Sequence, residues 1–328
     1  MLRALMSFNV LIIGLGQIGM RYDFDLDHGK YTFSHAAAFS QHKDFNIVGG
    51  VDIDSKFGKF FTEKYNSVFY NNIQDALQKN NPDIVVIAVS TEFHNQVLKD
   101  VVKYTIPKVV LCEKPLSYSL KEARSMQKLC KDNNIQLFVN YMRNSLPDSI
   151  NIKNKISNGD YAGNPKGVAW YSKGLIHNGS HFVNLLEYWL GSIKKIHCIN
   201  KGRSFESQDV EPDFSLSFKK GDVIFLSAKE ENFSHYGIEL VFDNGRLRYD
   251  QGGKNIYWTP AEQDENLPAY KFLSSKNKNY STDSMRKYQL HVVNELWNML
   301  NQKDYELCSG VMAISTLESI SEIIEECK

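Results

Sequence analysis

Between Phe8 and about Val139 the chain alternates short, β-rich apolar runs with helical stretches. The apolar runs are FNVLII, NIVGGV, VVIAV, VVLC and QLFV, separated by segments such as IQDALQK and LKEARSMQKLCKDN. Strands that alternate with helices predict a parallel, doubly wound sheet, because parallel neighbours need a long crossover between them. After Asn140 the β-type runs are joined instead by tight turns, Lys219-Lys220-Gly221-Asp222 and Asp243-Asn244-Gly245-Arg246, which predict an open, mainly antiparallel sheet. Amphipathic patterns place helices at about Ser180 to Leu190, Ser284 to Leu300 and Val311 to Cys327, all expected on one face of that second sheet. The first of these carries Leu185, Leu186 and Trp189 on one side, with Ser180 as its candidate N-cap. Lys271 to Asp283 is polar and aperiodic and reads as a mobile loop. The pattern is α/β throughout and divides at 140: a doubly wound domain over 1–140 and an α/β domain with the open sheet over 141–328.

A length of 328 residues suits two domains, and 42% hydrophobic content is enough for each to bury a core. Lys and Arg number 38 and so do Asp and Glu, so no charge-driven partnership with nucleic acid or a membrane surface is expected. The longest apolar run, Ile84 to Val89, is far short of the roughly 20 residues a membrane-spanning helix needs. The first residues read as a short tail and a strand, not a signal peptide. The five cysteines (Cys112, Cys130, Cys198, Cys308, Cys327) are scattered without CxxC spacing, which indicates neither a disulfide framework nor a zinc site and favours a reducing cytoplasm.

Candidate chemistry begins at Val10-Leu11-Ile12-Ile13-Gly14-Leu15-Gly16-Gln17-Ile18-Gly19, a buried-type strand running into G-x-G-x-x-G. Glycines there allow a tight turn and let a pyrophosphate approach backbone N–H groups. A second strand, Asn46 to Val51, ends in Asp52, a carboxylate suited to a ribose diol and repellent to a 2′-phosphate, so NAD(H) is favoured over NADP. Asp52 follows Gly19 by 52 − 19 = 33 residues, against about 20 in the usual pattern. The excess is assigned to an insertion, Tyr22 to Phe33. Strand Val109 to Cys112 leads into Glu113-Lys114-Pro115 at the sheet edge where ligands collect. There the Lys114 ammonium can hold an oxygen on which negative charge develops, or it is simply a solvated lysine.

Farther on, His177, His181 and Asn184 recur at i, i+4 and i+7, with Asn178 between the two histidines. Imidazoles on one helix face can shuttle a proton and grip hydroxyls, and they can equally be capped or core histidines. A metal pair is the weaker reading, since a third ligand is lacking and Glu187 points elsewhere; no metal is expected. Trp170 and Tyr171 can stack on a sugar ring, although core packing is the plainer role.

Together these residues resemble the Gfo/Idh/MocA family of oxidoreductases, with Glu113-Lys114-Pro115 after a dinucleotide fold as the most specific element. The family pattern Asp-x-Gly-x-His-x-x-Asp is met by Gly179 and His181, while His177 and Asn184 replace its two acids. The resemblance implies an NAD-binding Rossmann domain over 1–140 and a substrate-binding and oligomerisation domain over 141–328. It implies hydride transfer between nicotinamide and a sugar or nucleotide-sugar carbinol, with Lys114, His181 and His177 as the catalytic set. Cofactor contacts are expected from Gly14, Gly16, Gln17, Ile18, Gly19, Asp52, Ser90, Thr91, His94, Glu113 and Lys114. Substrate contacts are expected from Arg143, Asn178 and Asn184. The form G-L-x-H-N-G-S-H-F-x-N-L-L looks like that of members in surface-polysaccharide and nonulosonate sugar pathways. A small-molecule substrate and a homodimer or homotetramer are the implied partners. The rival expectations are an enzyme that keeps NAD bound through an internal redox cycle, and a non-catalytic dinucleotide or sugar sensor.

Overall fold

The computed structural model describes residues 7–206, 209–276, 278–279, 281 and 283–328. The chain folds as two compact units, one formed by residues up to Leu146 together with Arg286–Ile314, the other by Pro147–Met285 together with Ser315–Lys328. The division lies at 146 rather than 140, and the chain returns to its first unit after 285.

The first unit follows the order β1 (Phe8–Ile13), α1 (His35–Gln41), β2 (Phe45–Val51), α2 (Ser55–Tyr65), β3 (Phe69–Tyr70), α3 (Ile73–Asn80), β4 (Ile84–Ile87), α4 (His94–Tyr104), β5 (Val109–Cys112), α5 (Leu120–Asp132) and β6 (Gln136–Val139). All six strands are parallel, in the order β3-β2-β1-β4-β5-β6. β4 and β5 are buried along their whole length, as expected for central strands covered on both faces. The two-residue β3 carries no alternation and was not expected from the sequence.

The second unit contains α6 (Pro147–Asn158), β7 (Lys166–Tyr171), α7 (Ser180–Leu190), β8 (Ile193–Phe205), β9 (Asp209–Phe218), β10 (Asp222–Ser227), β11 (Gly237–Phe242), β12 (Gly245–Asp250), β13 (Asn255–Gln263), β14 (Lys271–Leu273) and β15 (Lys278–Asn279). Eight strands run in the order β14-β13-β12-β11-β7-β10-β9-β8, with β15 on β13, and both turns read from the sequence join antiparallel neighbours. The sheet is mixed, since β10 and β7 are parallel. Part of 271–283 is thus strand, pairing with β13, where a loop was expected.

The chain closes with α8 (Tyr288–Leu300) and α9 (Gly310–Glu326). The expectation that both cover the second sheet is corrected for α8. Its Val292, Val293 and Leu296 pack with Val10, Ile12, Phe39 and Phe45 in the core of the first unit. An apolar stripe on a helix states that a face is buried, not which sheet buries it. The helix α9 passes from one unit to the other, its residues from Ser315 onward belonging to the second.

The cysteine reading is also corrected. Cys198 on β8 and Cys327 after α9 form a disulfide across 129 residues of sequence, whereas Cys112, Cys130 and Cys308 are buried thiols outside any disulfide. Pairing at such separation depends on the strand and helix being brought together, which spacing alone does not reveal. Among the described residues no helix is long and apolar enough to cross a membrane.

Candidate functional site

In the first unit, β1 runs into Gly14, whose φ is +97° and where a Cβ would lie 2.6 Å from the backbone of Ala88, so only glycine fits. A Cβ at Gly16 would meet nothing within 4 Å, leaving that backbone open to approach. Gln17, Ile18 and Gly19 lie in a five-residue π-helical turn, Gln17–Arg21. The insertion follows, folded around Asp23: its fully buried carboxylate accepts from Phe33 N (2.5 Å), Ser34 N (3.0 Å) and Ser34 Oγ (2.5 Å). At the end of β2, Asp52 accepts from Leu15 N at 2.8 Å and Asp54 N at 2.9 Å, tying the second strand to the glycine turn. A carboxylate has about four acceptor positions, so capacity for a ribose diol remains.

These groups open on a cavity of about 460 Å³ lined by Gly14, Gly16, Asp52, Ile53, Ser90 and Phe93 among others. The glycine turn, a ribose acceptor and an apolar wall fit a dinucleotide. Of the expected cofactor residues, Gln17, Ile18, Gly19, Thr91, His94, Glu113 and Lys114 do not line it. The His94 ring is only 1% exposed and lies between carbonyl oxygens, Nδ1 3.2 Å from Leu116 O and Nε2 3.0 Å from Val89 O. It braces two loops rather than facing a ligand.

Glu113 and Lys114 follow β5, and the Lys114–Pro115 peptide is cis. The Glu113 carboxylate receives His35 Nε2 at 2.8 Å and Asn140 Nδ2 at 2.7 Å on one oxygen, and lies 3.3 Å from Lys114 N through the other. Burial pushes this carboxyl up, but the hydrogen bonds from His35 and Asn140 and the nearby Lys114 charge outweigh it, and the group sits below its ordinary value. Tyr288 at the start of α8 stacks on Phe33 of the insertion, ring centroids 5.3 Å apart. Burial, with Glu113, Tyr22 and Asp23 nearby, holds its phenol neutral. Arg143 is 7% exposed within a single 3₁₀ turn, Met142–Ser145.

In the second unit the histidine segment is built from two acids of β9 that the sequence reading did not single out. Asp209 accepts from Ile176 N and His177 N, each at 2.9 Å, and Glu211 accepts from Gly174 N at 3.0 Å. Glu211 is 1% exposed and its charge is met by Arg203 Nε at 2.7 Å. Gly174 has φ +78°, and a Cβ there would lie 2.1 Å from Asp209 Oδ2. Burial raises the Asp209 carboxyl, against the pull of its backbone donors. The segment opens with a π-helical turn, Leu175–Gly179, before α7. Ser180 is therefore not an N-cap: its hydroxyl donates back to Ile176 O at 2.7 Å, and the capping falls to Asp209. His177 is exposed on the turn and His181 half-buried in the first turn of α7. Asn178 donates to Ser172 O at 2.9 Å, and the buried Asn184 donates to Thr316 Oγ1 at 2.9 Å, joining α7 to α9. Glu187 binds the same threonine, as its separation from the histidines suggests. Tyr171 is core, its hydroxyl on Pro212 O at 2.6 Å, whereas Trp170 is 38% exposed on the outer sheet face. Among the described residues no group of three His, Cys, Asp or Glu could hold a metal ion.

Residues 8–141 match the model of the Gfo/Idh/MocA family, described as an oxidoreductase family with an NAD-binding Rossmann fold. Several solved structures share the fold. An oxidoreductase from Agrobacterium radiobacter, in complex with NAD⁺, L-tartaric acid and magnesium, is 15% identical with a TM-score of 0.74, covering 98% of this chain and 96% of that one. The WlbA dehydrogenase from Bordetella pertussis, in complex with NADH and UDP-GlcNAcA, is 15% identical with a TM-score of 0.76, covering 98% and 95%. Apo scyllo-inositol dehydrogenase from Lactobacillus casei is 12% identical with a TM-score of 0.70, covering 98% and 96%. No curated protein matches the chain in sequence.

Proposed function

We propose that this protein, whose residues 8–141 match the Gfo/Idh/MocA family model, is an NAD(H)-dependent dehydrogenase of a sugar or nucleotide-sugar hydroxyl. The observation that carries the proposal is the cavity bounded by Gly14, Gly16 and Asp52, where a glycine turn and a ribose-type carboxylate open on one space. Gly14, Gly16, Asp52 and Ser90 would hold the dinucleotide. Bound NAD supplies the hydride acceptor, and Asp52 disfavours a 2′-phosphate. Lys114 holds the reacting oxygen and stabilises its developing negative charge. His181 takes the hydroxyl proton, a task suited to an imidazole near neutral pH, with His177 beside it in sequence. Arg143 and Asn178 are assigned to substrate, and Asn184 to the support of α7. UDP-GlcNAcA in the Bordetella pertussis structure and the inositol dehydrogenase relative support a polyhydroxylated substrate.

We also assign the outer face of the second sheet, where Trp170, Ile224 and Val241 are exposed, to a homodimer or homotetramer. NAD(H) supply favours the cytoplasm, although the Cys198–Cys327 disulfide removes the support that unpaired cysteines would have lent.

The test is NADH absorbance on mixing the purified protein with NAD⁺ and a panel of nucleotide sugars, sugars and inositols. Sustained NADH production that falls at least about a hundredfold in Lys114→Ala and His181→Asn is expected. Turnover untouched by His181→Asn would remove that residue's role. Redox-active NAD retained through purification without net NADH release would move the assignment to an internal redox cycle. Dinucleotide binding with no redox change would move it to a sensor.

A further inference from the structure

Four side chains of the first unit that come from four separate elements close a hydrogen-bonded ring. His35 opens α1, Glu113 follows β5, Asn140 follows β6 and Gln289 lies in the first turn of α8. Asn140 Nδ2 donates to Glu113 Oε1 at 2.7 Å and to Gln289 Oε1 at 3.1 Å. With its oxygen committed to Asn140, Gln289 presents its nitrogen to His35 Nδ1 at 2.7 Å. An amide nitrogen only donates, so Nδ1 accepts, and His35 carries its proton on Nε2, which donates to Glu113 Oε1 at 2.8 Å. His35 and Gln289 are fully buried and Asn140 nearly so. The four contacts close on a carboxylate whose other oxygen lies toward the backbone N–H of Lys114, while Asn140 Oδ1 is buried without a hydrogen-bond partner among the described residues. In a buried setting a closed ring of hydrogen bonds favours one arrangement of the members it joins.

The elements that meet here explain why the ring stands at this place. Asn140 N donates to Cys112 O at 2.8 Å, which aligns the end of β6 with the end of β5. Thr32, at the end of the insertion, exchanges backbone hydrogen bonds with Arg286 and Gln289, so the insertion and α8 are fastened to each other beside His35.

We propose that His35, Gln289 and Asn140 are positioning residues for Lys114, acting through Glu113: the ring fixes the carboxylate and with it the backbone from which the lysine projects. The proposal rests on the dehydrogenase reading only for what Lys114 does, not for how it is held.

The experiment reads Lys114 without any substrate. The full-length protein and its His35→Leu, His35→Gln and Gln289→Leu variants are treated briefly with acetic anhydride at about pH 7, and acetylation of Lys114 is followed by peptide mass spectrometry, with Lys103 as the exposed internal reference. Glutamine can place a nitrogen donor near the position of Nε2, whereas leucine cannot. A Lys114 labelling rate changed at least about threefold in His35→Leu and Gln289→Leu, and returned to within about twofold of wild type in His35→Gln, is expected, since a lost buried hydrogen bond of this kind is equivalent to a several-fold change in a local equilibrium. Nitrogen NMR of labelled histidine should show His35 as the neutral ring protonated on Nε2 in wild type. Unchanged labelling in both leucine variants, or no return in His35→Gln while the fold is retained by circular dichroism, would overturn the positioning role. A His35 ring protonated on both nitrogens would overturn the ring as drawn. Because neither measurement needs turnover, a failed NADH assay would count against the dehydrogenase reading and leave this result standing.

Discussion

Replacing Asp209 by alanine removes the cap of the segment that carries His177 and His181. The carboxylate accepts from Ile176 N and His177 N at 2.9 Å and from Val210 N at 2.8 Å. Loss of an N-terminal cap costs about 0.5–2 kcal/mol. A part-buried amide left without its acceptor adds up to about 1 kcal/mol, applied here to Ile176 alone because His177 is exposed and its amide can turn to water. One offset applies: burial holds the Asp209 carboxyl above its ordinary 3.8, so ionising it in the folded chain is unfavourable and that cost disappears in the variant. The net expectation is a loss of about 1–2 kcal/mol near pH 7 by urea denaturation. The sign of the pH dependence is set by the same shift. A raised folded pKa means that the folded chain holds this proton more tightly than the unfolded chain. Its contribution is therefore fully present below pH 3.8 and declines as pH rises through the folded value. The stability gap between wild type and Asp209→Ala should accordingly narrow as pH rises from about 4 to 7. Hydrogen exchange of the peptide spanning 174–183 should accelerate in the variant while peptides of the first unit are unchanged. Equal stability at both pH values, or unchanged exchange in that peptide, would refute the capping role.

Asp52→Ala should weaken NAD binding roughly tenfold to a hundredfold by calorimetry, the worth of hydrogen bonds to a charged acceptor, without creating NADP affinity, because no cation is gained. Leu296→Ala, in the core shared by α8 and the six-stranded sheet, should cost about 2–5 kcal/mol and expose amides of the first unit to exchange; a loss confined to the second unit would contradict the placement of α8. Reductant should lower the unfolding midpoint of the wild type and leave Cys198→Ser unmoved, since a link across 129 residues contributes up to about 5 kcal/mol in the chain-entropy model.

Much of the first unit was legible because its information is local. Each of β1, β2, β4, β5 and β6 is a compact apolar run, and Gly14 is demanded by a turn whose geometry no other residue adopts. Asp52 could be placed at the end of β2 despite its long spacing, since a strand end is visible in the pattern and the insertion that lengthens the gap is polar. In the second unit the two β-turns declared themselves by Gly221 and Gly245 for the same reason.

What escaped the sequence is what depends on residues far apart in it meeting. The apolar stripe of α8 records burial but not its partner, so only the folded chain returned Val292, Val293 and Leu296 to the first core. Asp209 and Glu211 carry no motif, and their role comes from the turn at Gly174 that lies against them. His35 and Gln289 stand 254 positions apart, and neither carries a motif. A single strand or turn is specified by steric preferences a few residues long, whereas a ring, a cap or a disulfide drawn from separate elements exists only once burial has set those elements side by side.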